Sequence, residues 1–191
     1  KTCAALRQEV DVRAGALHEV RVRAAHDLVE RVTEALRFLD MPKVRMEVRV
    51  ANMAPGENGA DDVEFLIATN PGEPVQPLAR IASGGELSRM MLALRSALDD
   101  QDGATTVIFD EIDTGVSGKT SRKIGLKLME TARGSQVLCV THSAQIASLA
   151  DCHYLITKTE RDGRAETAVT RLTGEARVEE IARILGGIHV T

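Results

Sequence analysis

Thr105-Thr106-Val107-Ile108-Phe109-Asp110-Glu111 is the stretch on which the fold turns. Its β-branched and apolar run, bounded by turn-rich sequence, predicts a buried central strand, and both carboxylates fall where that strand leaves its sheet. Open α/β sheets place their ligand sites at that end. Asp110 offers the hard oxygen that Mg²⁺ prefers, while Glu111, pointing elsewhere, is placed to align and deprotonate an attacking water. Such a division of labour suits phosphoryl transfer. The plain alternative is a strand end with solvated acids, so the reading depends on what accompanies it.

At 191 residues the chain holds one ordinary α/β domain and an appendage. It contains neither the apolar run of a membrane span nor the pattern of a signal peptide. It starts at Lys1 without a methionine, from which we expect a piece of a longer or processed polypeptide. The three cysteines, Cys3, Cys139 and Cys152, are odd in number and lack metal-site spacing, which fits a reducing cytoplasm. A formal net charge of -4 argues against binding nucleic acid through bulk positive charge. With no Trp and one Tyr, stacking platforms for single-stranded bases are not expected either.

Upstream, Leu6, Val10, Ala14, Leu17, Ala24, Leu28, Val32, Ala35 and Leu39 recur mostly at three- and four-residue steps, predicting one long helix from Lys1 to Asp40. Its narrow Ala/Val seam amid charges suits a partner helix, as at the end of a coiled coil. His18 and His26 are expected to face solvent, and Met41-Pro42 to stop the helix. Lys43 to Val50 alternates, with Val44, Met46, Val48 and Val50 on the inward face of a half-buried strand. Pro55 to Gly59 reads as a loop, Val63 to Ala68 as an antiparallel partner strand, and Asn70-Pro71-Gly72 as a turn.

Ile81-Ala82-Ser83-Gly84-Gly85-Glu86-Leu87-Ser88-Arg89 is the second informative stretch. Ser83 is a good N-cap, and Leu87, Met91, Leu94 and Leu98 follow at helical spacing. A glycine-rich loop feeding a helix N-terminus is an anion site suited to phosphate; a glycine turn with a capping serine explains the same residues. Gly118-Lys119-Thr120 imitates the end of a P-loop, but the position that needs the first glycine is Asp113. A helix from Lys119 to Ala132 is the better reading. Gln136 to Val140 predicts a further buried strand, ending in Thr141-His142-Ser143, so His142 is expected at the same sheet end as Asp110 and Glu111. Tyr154-Leu155-Ile156 and Ala168-Val169-Thr170 flank Asp162-Gly163 as a hairpin, and Val178 to Leu185 is a closing helix.

Taken in order, Ser83-Gly84-Gly85-Glu86, the strand to Asp110-Glu111 and the strand to His142 resemble the signature, Walker B and switch-histidine motifs of ABC-type ATPases. With a long helix before them, the set resembles the C-terminal head lobe of the SMC-like group. The fuller wording, Ala82 to Arg89, Phe109 to Gly118 and Ala182 to Gly187, is similar to the RecN family of bacterial DNA-repair proteins.

That resemblance implies an α/β lobe of a P-loop NTPase head without its P-loop half. It divides the chain into a coiled-coil return helix (1–41), an antiparallel strand pair (42–78) and the ATPase lobe (79–191). It implies ATP and Mg²⁺ as cofactors: Asp110 for the metal, Glu111 as general base, and His142 on the γ-phosphate. Ser83, Gly84, Gly85 and Glu86 would grip the ATP of an opposite head, and a loop with Asp113, Gly115 and Ser117 would cross between heads. Implied partners are the N-terminal lobe of the same polypeptide, a second head pairing over ATP, and DNA, with no membrane and a cytoplasmic, nucleoid-associated setting. A head lobe of another SMC-like chromosome or recombination ATPase, or a non-catalytic coiled-coil pairing module, are the rival readings.

Overall fold

Helix α1 (Cys3–Phe38) follows the predicted periodicity, and Gly15 sits within it without breaking it. The computed structural model describes residues 2–80, 84–98, 106–161 and 164–186. These fall into two compact units, one drawn from residues 1–83 and 89–102, the other from 84–88 and 103–191.

In the first unit only the last turns of α1 are buried: Val32, Ala35 and Leu36, followed by Leu39. The helix ends at Phe38, four residues before Pro42. Asp40 adopts a left-handed conformation (φ 59°), the Met41 amide donates to the Leu36 carbonyl at 2.9 Å and the Asp40 amide to Arg37 at 3.2 Å. This is a Schellman closure with aspartate in the place usual for glycine, a residue whose short polar side chain tolerates that conformation.

Strands β1 (Arg45–Gly56) and β2 (Gly59–Ala68) form an antiparallel hairpin, to which β3 (Gln76–Pro77) adds a short edge. Met46 and Ile67, paired in register, are buried, as the alternation of β1 requires. The expected loop at Pro55 to Gly59 is corrected: both strands extend into it and the chain reverses at Glu57-Asn58, helped by Gly59 at φ 101°. Val32 and Leu36 of α1 meet Met46, Phe65, Leu66, Ile67, Leu78, Met90 and Leu94 around one apolar cavity. Asn70-Pro71-Gly72 forms the predicted turn, closed by the Glu73 amide on the Asn70 carbonyl at 3.3 Å.

His18 does not simply face solvent. Its Nδ1 lies 2.6 Å from Asp61, which also accepts from Arg21 at 3.0 Å, and the carboxylate is buried at 1% exposure. Arg21 donates in addition to the Asn58 carbonyl at 2.6 Å, so the hairpin tip is clasped to the middle of α1. The arginines on the outward face of β1 pair with acids, Arg49 with Glu64 and Arg45 with Glu47, as an ordinary solvated face does.

Helix α2 (Gly84–Ala97) gives its first residues to the second unit and the rest to the first. The second unit is built on a parallel pair, β4 (Thr106–Phe109) and β5 (Gln136–Cys139), joined through α3 (Gly118–Thr131). A strand, helix, parallel strand sequence is the crossover unit of an α/β sheet. Ile124 and Leu128 of α3 are buried with Ala144, Ile146 and Ala147, most of α4 (Ala144–Ala147). The antiparallel hairpin β6 (His153–Arg161) and β7 (Arg164–Leu172) follows, then α5 (Gly174–Gly186), whose Arg177 reaches the carbonyls of Ala147, Ser148 and Ala150.

Candidate active site

Strands β4 and β5 are parallel and pair Phe109 with Cys139, so Asp110-Glu111 and Thr141-His142 leave adjacent strands at one end. A bond from the Val140 amide to the Phe109 carbonyl (2.9 Å) extends the ladder to that exit. The chain then turns sharply. Glu111 is left-handed (φ 55°), Asp110 Oδ1 accepts the Glu111 amide at 2.9 Å, and the Thr114 amide donates to the Glu111 carbonyl at 3.1 Å. A non-glycine residue in this conformation at a strand exit is an uncommon feature that clusters at functional sites.

The start of α2 packs on this turn. Ser88 Oγ donates to the Asp110 carbonyl at 2.7 Å. A Cβ on Gly84 would lie 2.6 Å from Glu111 Oε2, and one on Gly85 would lie 2.9 Å from the Glu111 carbonyl and 3.1 Å from Thr114 Cβ. Gly85 is therefore required by the close approach of the acidic turn's backbone, whereas at Gly84 the neighbour is the movable end of the Glu111 side chain. Ser83, the expected N-cap, lies outside the described residues. Glu86 occupies the first turn of α2, where an acid complements the helix dipole.

Asp113 has an environment that sequence reasoning did not anticipate. Its side chain is buried, and Oδ2 accepts the Thr141 hydroxyl at 2.5 Å and the His142 amide at 3.0 Å. His142 Nδ1 stands 3.3 Å from the same oxygen, while the ring is 81% exposed. Two other members of the expected crossing loop differ from it. Gly115 is left-handed (φ 73°) with open space around it, and Ser117 N-caps α3, accepting from the Thr120 amide at 3.3 Å. Gly118-Lys119-Thr120 thus opens an ordinary capped helix, with Thr120 buried beneath it.

Ser88 and Thr141 are the residues that sequence reasoning missed. Ser88 sits on the same helix face as Gly84 and Gly85, a spacing that marks it in hindsight. The chemistry available is acid, base and imidazole at one sheet end. The Cys139 thiol is pushed up to about 12, first by burial and then by the charges of Asp113 and Asp110, so it is no nucleophile. Among the described residues no group of three or more His, Cys, Asp or Glu side chains is placed to hold a metal alone. Asp110 therefore fits Mg²⁺ only as one oxygen donor among others, such as phosphates and waters, which is how that ion is usually held.

Comparison with known proteins finds relatives of the chain. The chain is 48% identical over 191 residues to the DNA repair protein RecN of Halalkalibacterium halodurans, an alignment covering 97% of the chain and 34% of that protein. With RecN of Bacillus subtilis it is 41% identical over 200 residues, covering 96% of the chain and 35% of the relative. Nearly the whole chain is thus similar in sequence to part of these RecN proteins. It spans about a third of the length of the curated RecN proteins it matches. No protein-family model matches it.

Solved structures agree on the fold of this chain. The Smc head domain of Pyrococcus yayanosii superposes with a TM-score of 0.59 at 22% identity, over 86% of the chain and 30% of that structure. The Smc head of Pyrococcus furiosus gives 0.58 at 20% identity, over 97% and 43%. A chain from a study of SMC ATPases gives 0.52 at 21% identity, over 88% of this chain and 97% of that one. The chain thus has the α/β fold of a lobe of these head domains, and no described helix is long and apolar enough to cross a membrane.

Proposed function

We propose that this chain is the C-terminal head lobe of a RecN-type ATPase that acts on DNA in double-strand-break repair. The observation that carries it is the convergence of Gly84, Gly85, Asp110, Glu111 and His142 around the exit of β4 and β5, in a chain of RecN sequence. Glu111 acts as general base toward water, and His142 faces the γ-phosphate through its exposed ring edge. Asp110 contributes an oxygen to Mg²⁺, an ion that neutralises phosphate charge when bound.

The α2 N-terminus, with Ser83, Gly84, Gly85 and Glu86, receives the γ-phosphate of ATP carried by a second head, and the loop with Gly115 and Ser117 lies near that junction. The chain contains no P-loop pattern, so the cradle for the β- and γ-phosphates comes from the remaining two thirds of a RecN-length polypeptide. A solved neighbour is described in terms of ATP-driven dimerization and DNA-stimulated activation of SMC ATPases, which is the cycle proposed here. Residues 1–41 form the return helix of the coiled coil, residues 42–78 the strand pair beside it, and residues 79–191 the ATPase lobe. The exposed Leu6, Val10, Leu17 and Val20 of α1 meet its antiparallel partner. Parallel strands are normally covered on both faces, and Ile108, at 68% exposure, and its register partner Leu138 mark the face that the other lobe covers. The unpaired cysteines suit work in the cytoplasm, at the nucleoid.

In the full-length polypeptide, Glu111→Gln tests this reading. ATP binding and head pairing are expected to persist while hydrolysis falls by about 10²–10⁴, the usual contribution of a positioned base. Unchanged turnover removes Glu111 from the chemistry.

A further inference from the structure

We infer that Asp113 is a positioning residue that fixes the ring of His142; the inference rests on the reading of His142 as the phosphate-facing group. Asp113 lies just beyond the acidic turn and its side chain is 2% exposed. One oxygen, Oδ2, gathers the Thr141 hydroxyl (2.5 Å), the His142 backbone amide (3.0 Å) and the His142 Nδ1 edge (3.3 Å). Because the Thr141 hydroxyl donates its hydrogen to Asp113, its oxygen is left to accept, and it takes the Ser143 amide at 2.9 Å. Residues 141–143 are thus pinned, by one carboxylate, to the turn that follows β4 and carries Asp110 and Glu111.

A carboxylate oxygen accepts, so the tautomer that this placement favours is the one with its proton on Nδ1, which leaves Nε2 to the exposed side. The second oxygen, Oδ1, is buried with no hydrogen-bond partner among the described residues. Holding a hydroxyl and a backbone amide needs one acceptor, which an uncharged side chain supplies without a half-satisfied buried charge. What Asp113 adds beyond that acceptor is an oxygen 3.3 Å from the imidazole edge of His142.

The test uses the full-length polypeptide with Asp113→Asn, His142→Ala and both together, assayed for ATP turnover. Asparagine keeps an acceptor for the Thr141 hydroxyl and His142 amide. Asp113→Asn is expected to lower kcat by roughly 10- to 100-fold, the range for partners that orient a functional histidine, with little change in KM. Added to His142→Ala it should cost nothing more. In ¹⁵N NMR of histidine-labelled protein, the His142 ring should carry its proton on Nδ1, and Asp113→Asn should shift it toward a mixture. Wild-type kcat in Asp113→Asn, or the same loss with and without His142, overturns the inference while leaving the function intact. Full turnover in His142→Ala overturns both.

Discussion

Glu111 closes over Gly84: a Cβ built on that glycine would stand 2.6 Å from the glutamate's Oε2. The residue expected to activate water and the glycine expected to admit a phosphate are therefore neighbours in one lobe. Gly84→Ala pushes the Glu111 side chain aside without adding charge. For the full-length protein we predict a fall in kcat of about 10- to 100-fold, because misplacement of a reacting group by about 1 Å carries a penalty of that order. Steady-state ATPase assays with a thermal melt of the same sample check it; wild-type kcat shows that the observed Glu111 position is not the working one.

Asp61 predicts an acid dependence. Hydrogen bonding from His18, ahead of that from Arg21, holds its carboxyl below the usual value of 3.8 despite burial. A carboxyl with a depressed folded-state value contributes stability that is fully present above 3.8 and lost as pH falls through the lower, folded-state value. Urea midpoints of wild type and Asp61→Asn should differ at neutral pH, with wild type the more stable, and should converge in strong acid. A constant gap across that range contradicts the clasp.

Ser117 is a helix cap whatever else the loop does. Removing its oxygen leaves the Thr120 amide at the start of α3 without its side-chain acceptor. Ser117→Ala is expected to destabilise the lobe by about 1 kcal/mol, the typical cost of a lost N-cap. Chemical denaturation measures it, and no change in midpoint would remove the cap from the account.

The cysteines should separate by reactivity. Cys3 and Cys152 are exposed, whereas the Cys139 thiol is raised to about 12 by burial and by neighbouring acids. At about pH 8, near the ordinary thiol value, iodoacetamide should label Cys3 and Cys152 and leave Cys139 intact, as mass spectrometry of the peptides would show. Equal labelling contradicts the burial of Cys139.

Much of the fold is legible in the sequence because its signals are local. The long seam of α1, the Val44, Met46, Val48 and Val50 alternation and the apolar runs ending in Asp110 and Thr141 each declare an element within one window. What the sequence hides depends on distance or on context. His18 and Asp61 are 43 residues apart, and no periodicity announces a clasp across that gap. Pro55 and Gly56 read as loop, yet the hairpin ladder absorbs them with a shift in register between Asn52 and Gly56. Asp113 reads as one more loop acid; only the parallel register that sets β5 beside β4 shows why it is buried against His142.

The most direct measurement of the central claim compares ATP turnover by these 191 residues alone with turnover by the full-length polypeptide that contains them. If the lobe holds the base, the histidine and the receiving helix but not the phosphate cradle, the full-length protein hydrolyses ATP and the lobe alone does not. Hydrolysis by the lobe alone at the full-length rate would contradict the account.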